Sequence, residues 1–154
     1  MNWEMVAPRS EPRPAPPADF APRLRLATMR LARMLRQHGD PGISQTLISA
    51  LATVARSGPV TLGRLAELES VQPPSMTRIV AKLEELELVV RRADVADRRV
   101  AWVTVTPEAE SLLAEVRIRR NELLASRLAN LDGSDLDALE AALPALERLA
   151  GVVA

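Results

Sequence analysis

The chain has 154 residues, no cysteine, a single histidine (His38), and 20 basic against 20 acidic residues, a formal net charge of zero. This excludes disulfides, thiolate metal sites and cysteine redox sensing, and a lone histidine does not make a conventional zinc site, so no metal or cofactor is expected. Only Trp3, Phe20 and Trp102 are aromatic, so any core is built from Leu, Val, Ala, Ile and Met. The length suits one domain or a helical subunit that completes its core by pairing.

The first 18 residues carry Pro8, Pro12, Pro14, Pro16 and Pro17 among small and charged residues. Prolines remove backbone donors and the stretch has little to bury, so residues 1–20 read as a disordered tail or as an arm touching a polyanion through Arg9 and Arg13. It lacks a secretory apolar core, and no run in the chain is long enough to span a bilayer, so a cytoplasmic location away from membranes is expected.

From Pro22 to Gln37 the pattern is helical. Leu24, Ala27, Leu31, Met34 and Leu35 share a face, and Arg23, Arg30, Arg33 and Arg36 occupy much of the other. Gly39, Pro41 and Gly42 stop this helix, and Ser44 caps a second over 45–56 with Leu47, Leu51 and Val54 inward. Thr61 caps a short third helix, Leu62 to about Glu69, expected to bury Leu65 and Leu68. Pro73 opens a fourth, running to about Leu86, with Met76, Ile79, Val80 and Leu83 as its apolar stripe.

Two β-branched runs then flank a charged tip, Ala93 to Arg99, which predicts a hairpin. Thr106-Pro107-Glu108 combines a cap, a first-turn proline and an acid at the positive helix end, starting a fifth helix to about Asn130. A sixth starts at Asp132 or Ser134 and repeats Leu136, Leu139, Leu143, Leu146 and Leu149, with Pro144 expected to kink or break it. The first helix and these last two carry more apolar stripe than a small module covers, so a two-fold homodimer is expected.

Helix, turn, helix, hairpin is the order of a winged helix-turn-helix, a module that binds double-stranded DNA. The stretch Ser75-Met76-Thr77-Arg78-Ile79-Val80, the following Leu83-Glu84-Glu85, and above all the tip Asp94-Val95-Ala96-Asp97-Arg98-Arg99 with its outgoing strand resemble the MarR family of bacterial transcriptional regulators. The resemblance covers about 23–149. It implies a mainly α fold with a small β-hairpin wing, the winged module at about 43–106 and dimerisation helices at about 22–38 and 107–151, within one unit at 21–154. It departs at Glu87, where the family usually has a glycine in a left-handed turn. A glutamate there costs on the order of 1 kcal/mol in strain or forces another cap. The adjacent Pro73 and Pro74 also remove two amides from the front of the fourth helix.

The expected interface follows from side-chain chemistry. A guanidinium fills a narrow, electronegative minor groove, which assigns Arg99 to insertion, Asp97 to holding it, and Arg98 to phosphate or to bracing the wing; the alternative is that Asp97 and Arg99 merely pair across the hairpin. On the fourth helix Arg78 offers a two-donor fork to guanine, Ser75 and Thr77 suit phosphate or a thymine methyl, and Gln72, beside Pro74 at the entrance, suits adenine. Lys82 and Arg64 suit phosphate. Two such modules read an inverted repeat, most simply as a repressor.

The resemblance further implies a small aromatic or lipophilic anion in a cleft between the dimer helices and the module. Met29, Arg33, Met34, His38, Leu47 and Leu51 are the candidate lining, unless they are core and solvated face. The sequence holds no Gly-rich phosphate loop, cysteine nucleophile or recognisable acid pair, so it does not read as an enzyme. The competing reading is a winged-helix module that binds another protein without specific DNA binding.

Overall fold

The computed structural model describes residues 15–38, 42–94 and 100–151. The element order is α1 (Phe20–His38), α2 (Gln45–Ser57), β1 (Val60–Thr61), α3 (Leu62–Leu68), α4 (Pro73–Glu85), β2 (Val89–Ala93), β3 (Ala101–Val105), α5 (Pro107–Leu128) and α6 (Gly133–Leu149). By compactness the chain divides into two units, 1–33 and 34–154.

In the first unit, α1 begins at Phe20, two residues before the pattern predicts, and leaves Phe20, Leu26, Met29 and Leu31 exposed.

The second unit holds the hydrophobic core. Leu51 and Val54 of α2, Leu65 and Ala66 of α3, Met76, Val80 and Leu83 of α4, and Leu88, Val89 and Val103 from the strands and their approach are all buried together with Ala109 of α5. The 3.6-residue stripes of α2 and α4 produce this cluster, because each places its large aliphatic residues on one face. Leu68 departs from expectation: it is exposed, beside a cleft of about 340 Å³ that it lines with Pro59, Arg64 and Trp102. The third helix is only seven residues long, and its inward positions are taken by Leu65 and Ala66.

The sheet is antiparallel in the order β1-β3-β2. Val89 pairs with Val105 and Ala93 with Ala101, so β2 and β3 form the expected hairpin. The two-residue β1 pairs Val60 with Val103 and Thr61 with Trp102, a strand the sequence pattern did not predict. Thr61 also caps α3, its hydroxyl accepting from the Arg64 amide at 3.3 Å.

Helices α3 and α4 both end in a left-handed residue that is not glycine. Ser70 has φ 54° and Glu87 has φ 58°. At the first, the Ser70 amide donates to the Glu67 carbonyl and the Val71 amide to that of Ala66; at the second, Glu87 donates to Glu84 and Leu88 to Leu83. Each is the paired bonding of a Schellman cap, closed by a buried apolar contact between Leu83 and Leu88 in the second case. Glu87 therefore takes the left-handed cap with its strain rather than a different one. Its carbonyl accepts from the Thr106 hydroxyl at 2.8 Å, and the Thr106 hydroxyl oxygen in turn accepts from the Ala109 amide at 3.2 Å to cap α5. One threonine thus ties the end of α4 to the start of α5.

Helix α6 is capped by Asp132 and runs through Pro144 without a break. None of its residues is buried, and Leu136, Leu139, Leu143 and Leu149 are exposed, Leu149 at 73%.

Candidate nucleic-acid interface

The fourth helix presents its sequence-predicted polar residues on one side of the core stripe. Met76, Val80 and Leu83 anchor it, and Gln72, Pro74, Ser75, Thr77, Arg78 and Lys82 are all exposed. Gln72 is the N-cap by backbone only: its carbonyl accepts from the Ser75 and Met76 amides, and its side chain makes no capping bond. That leaves its amide available to an outside partner. The side chains of Arg78 and Ser75 likewise have no partner among the described residues, whereas Thr77 donates its hydroxyl to the Pro73 carbonyl at 3.0 Å. With its proton committed inside the helix, Thr77 keeps a methyl group and an acceptor lone pair. This fits a thymine methyl better than a phosphate, which needs a donor.

The predicted phosphate contacts are engaged locally. Arg64 pairs with Glu67 at 2.9 Å and Lys82 with Glu85 at 2.7 Å, both one helical turn apart and solvent-exposed. Such pairs are worth about 0–1 kcal/mol, so either cation exchanges readily onto a polyanion.

Arg91 is held more firmly. Its guanidinium grips Glu84 through Nε, at 2.6 Å, and through Nη2, with both side chains only 31% exposed. The hydrogen bond that Arg91 donates to Glu84 raises the arginine's pKa above its usual value, outweighing partial burial, with the carboxylate charge adding to it. This pair fastens strand β2 to helix α4. Arg92, one residue on, is exposed and has no partner among the described residues; its position opposite Trp102 adds a cation to the wing that the candidate set lacked. The signal was present in the sequence as an Arg-Arg pair, and strand alternation decides which arginine turns inward.

At the base of the wing the Asp94 amide donates to the Val100 carbonyl at 2.9 Å, and the Trp102 indole Nε1 donates to Asp94 Oδ2 at 2.8 Å. The tip residues Asp97, Arg98 and Arg99 lie outside the described residues.

A cavity of about 560 Å³ opens between α2 and α5 in the second unit. Leu35, Ile48, Ala52, Leu113 and Val116 form its apolar side, and Arg56, Arg117, Arg120 and Asn121 its polar side, with no acid in the lining among the described residues. Arg120 donates through Nη2 to Gln45 Oε1 at 2.9 Å, while its Nε is buried without a partner. Of the sequence-predicted cleft residues in this unit, Met34, Leu47 and Leu51 do not line the cavity, and the side chain of His38 lies outside the described residues. Leu51 is fully buried in the core, Leu47 and Met34 are half-buried, and Met29 and Arg33 are exposed. The reason is rotational: successive helical residues differ by about 100°, so α2 turns Leu51 and Val54 to the core and Ile48, Ala52 and Ala55 to the cavity. Among the described residues no cluster suits a metal ion, and no helix is long and apolar enough to cross a membrane.

A three-stranded sheet with a hairpin wing, packed on a short helix, a turn and an exposed helix, defines a winged helix-turn-helix. A family model described as the MarR family matches residues 43–101. An HTH-type transcriptional regulator of Mycobacterium bovis, Mb0904, is 41% identical over 126 residues, covering 81% of this chain and 88% of that protein. The HTH-type transcriptional repressor MdtR of Bacillus subtilis is 28% identical over 103 residues, covering 67% of this chain and 66% of that one. In structure, a crystallised transcriptional regulator of Pseudomonas aeruginosa superimposes with a TM-score of 0.75 at 30% identity, over 86% of this chain and 95% of the other. The chain belongs to the MarR family, and it is a DNA-binding transcription regulator.

Proposed function

We propose that the protein acts in the cytoplasm as a homodimeric repressor that reads an inverted-repeat operator, and that it is a binding protein rather than an enzyme. The observation that carries this reading is the outer face of α4, where Gln72, Ser75 and Arg78 are exposed and uncommitted on a helix anchored by fully buried residues. In this reading α4 enters the major groove, Arg78 forks onto a base, Thr77 meets a methyl group beside the Pro74 ring, and Lys82 and Arg64 leave their local carboxylates for phosphates. Arg99 enters the adjoining minor groove, with Asp97 and Arg98 supporting it and Arg92 adding charge behind. The name of the B. subtilis relative supports repression, and occupying a promoter-proximal palindrome is the simplest way to achieve it.

Dimerisation is supported by the apolar residues left exposed on α1 (Leu26, Met29, Leu31), on α5 (Ile118) and on α6 (Leu136, Leu139, Leu143). The ligand reading moves from the predicted cleft to the cavity between α2 and α5. Three arginines, an unpaired buried Arg120 Nε and an aliphatic wall suit a small organic anion with an apolar body. Such a ligand acts only through different affinities for the DNA-competent and DNA-free states.

The test is fluorescence anisotropy on DNA from upstream of the protein's own gene and its neighbours, with unrelated DNA and a salt series. Tight binding to one fragment that falls steeply with salt is expected, and Arg99→Ala or Arg78→Ala should each cost about 1–3 kcal/mol on that fragment. Equal, weak binding to every fragment would favour the protein-binding reading. Millimolar benzoate serves as the probe for the cavity: it should weaken operator binding by the wild-type protein and leave Arg120→Gln unaffected.

A further inference from the structure

The winged module contains a hydrogen-bonded chain that the DNA contacts do not use. Thr53 is 4% exposed, the only buried polar or charged residue among those described. Its hydroxyl donates to Glu69 Oε1 at 2.5 Å, and the Ser49 hydroxyl donates to Glu69 Oε2 at 2.7 Å. Glu69 is the C-cap of α3, the first residue of the turn between α3 and α4. Both carboxylate oxygens are therefore fixed to helix α2, and the turn that aims α4 is fixed with them. The Thr53 oxygen in turn accepts from Arg56 Nη2 at 3.0 Å. Arg56 lines the cavity between α2 and α5.

The direction of the chain matters. A threonine hydroxyl has one proton, and here it goes to Glu69; Arg56 polarises the oxygen from behind and strengthens that donation. Were Arg56 drawn away, the oxygen would lose this cationic partner and the bond to Glu69 would weaken. The turn would then hang from Ser49 and from its own strained cap, in which Ser70 has φ 54°.

We infer that the chain Arg56–Thr53–Glu69–Ser49 couples the cavity to the helix-turn-helix turn, with Glu69 and Thr53 as positioning residues for α4. The inference rests on reading α3 and α4 as the DNA-reading pair and the cavity as a ligand site. Its consequence is that an anion in the cavity, competing for the Arg56 guanidinium, loosens the turn without touching DNA.

The experiment is a double-mutant cycle of Thr53→Val and Arg56→Gln, read in two ways: operator affinity with its salt dependence, and hydrogen exchange of the Ser70 and Val71 amides in the DNA-free protein. Loss of one hydrogen bond to a charged group predicts about a tenfold effect of Thr53→Val on affinity and on exchange. Arg56→Gln alone gives a smaller effect of the same kind, on the order of threefold, and adds nothing in the Thr53→Val background. The salt slope stays unchanged in Arg56→Gln, whereas a lost phosphate contact would reduce it by about one. Independent, multiplicative effects, or a reduced slope with unchanged exchange, would overturn the inference. If Thr53→Val does not fold, Ser49→Ala replaces it: Glu69 then hangs from Thr53 alone, so Arg56→Gln must accelerate exchange more than in wild type, and an equal effect refutes the coupling. A wild-type protein that binds no operator would sink the DNA reading, while the exchange arm would still decide the coupling.

Discussion

The winged module and the C-terminal helix are built from similar aliphatic residues with opposite outcomes. In the module, α2, α3, α4 and the sheet send Leu51, Leu65, Met76, Val80, Leu83 and Val103 to a shared centre where each is fully or almost fully buried. Helix α6 has the same kind of stripe and buries none of it. Helix α5 spans both situations: Ala109 and Val116 are buried, whereas Ile118, two residues on, is 56% exposed. An aliphatic stripe is thus necessary for a core but does not say which chain supplies the other side. The module's core is closed within this chain with the help of Ala109 on α5, and the apolar surface past Val116 is what the homodimer reading has to account for.

The largest effect is expected inside the module. Leu65→Ala should cost about 3 kcal/mol, since the site is fully enclosed and cannot collapse easily, and a urea titration measures it. On α6 the prediction differs in kind. Leu139→Asp and Leu143→Asp should leave the fold of the module intact but convert dimer to monomer in sedimentation, and should abolish the dependence of the melting temperature on protein concentration. If both remain at wild-type mass, the exposed stripe is not the dimer contact.

A smaller effect of opposite sign is expected where α4 ends. Glu87→Gly relieves the left-handed strain inside an otherwise complete cap and should raise stability by about 1 kcal/mol, less the added chain entropy of glycine. A thermal melt checks it. The smallest effect concerns Asp132, whose Oδ1 accepts from the Asp135 amide and the Ser134 hydroxyl, both at 2.8 Å. The Asp135 amide, then the Ser134 hydroxyl, hold its pKa below the usual aspartate value. A depressed folded-state pKa contributes stability that is present above the unfolded-state pKa and lost as pH falls through the folded one. The first turn of α6 should therefore fray below the ordinary aspartate range, and Asp132→Asn should remove that pH dependence.

How much the sequence reveals follows the range of the interaction concerned. Caps and periodicities act within a few residues, so Ser44, Thr61 and Thr106 mark their helices correctly and the wing strands fall where the β-branched runs place them. Glu87 was legible as a conflict, and the structure decides it in favour of strain. Ser70 gave no comparable signal, because serine suits many turns and nothing local requires φ 54°. The strand β1 is too short for alternation to register. Of the kink or break expected at Pro144, the break does not occur: α6 runs on through it. The interface candidates on α4 came from an exposed helix face and are found there. What pattern could not supply were pairings across the fold. Arg91 meets Glu84 seven residues away, Ser49 meets Glu69 twenty away, and Arg120 meets Gln45 seventy-five away. The residues around the α2–α5 cavity were not legible for the same reason, since the rotation of α2 is set by which neighbours enclose it.

Hydroxyl-radical footprinting on the upstream fragment bound most tightly shows whether a two-fold dimer reads an inverted repeat. Two α4 helices and two wings related by a two-fold axis should protect two half-sites about one helical turn, roughly 34 Å, apart, and Arg99→Ala should lift the minor-groove protection while leaving the major-groove part. A single protected stretch without symmetry, or no footprint on any fragment bound above background, would contradict a homodimeric operator-reading regulator.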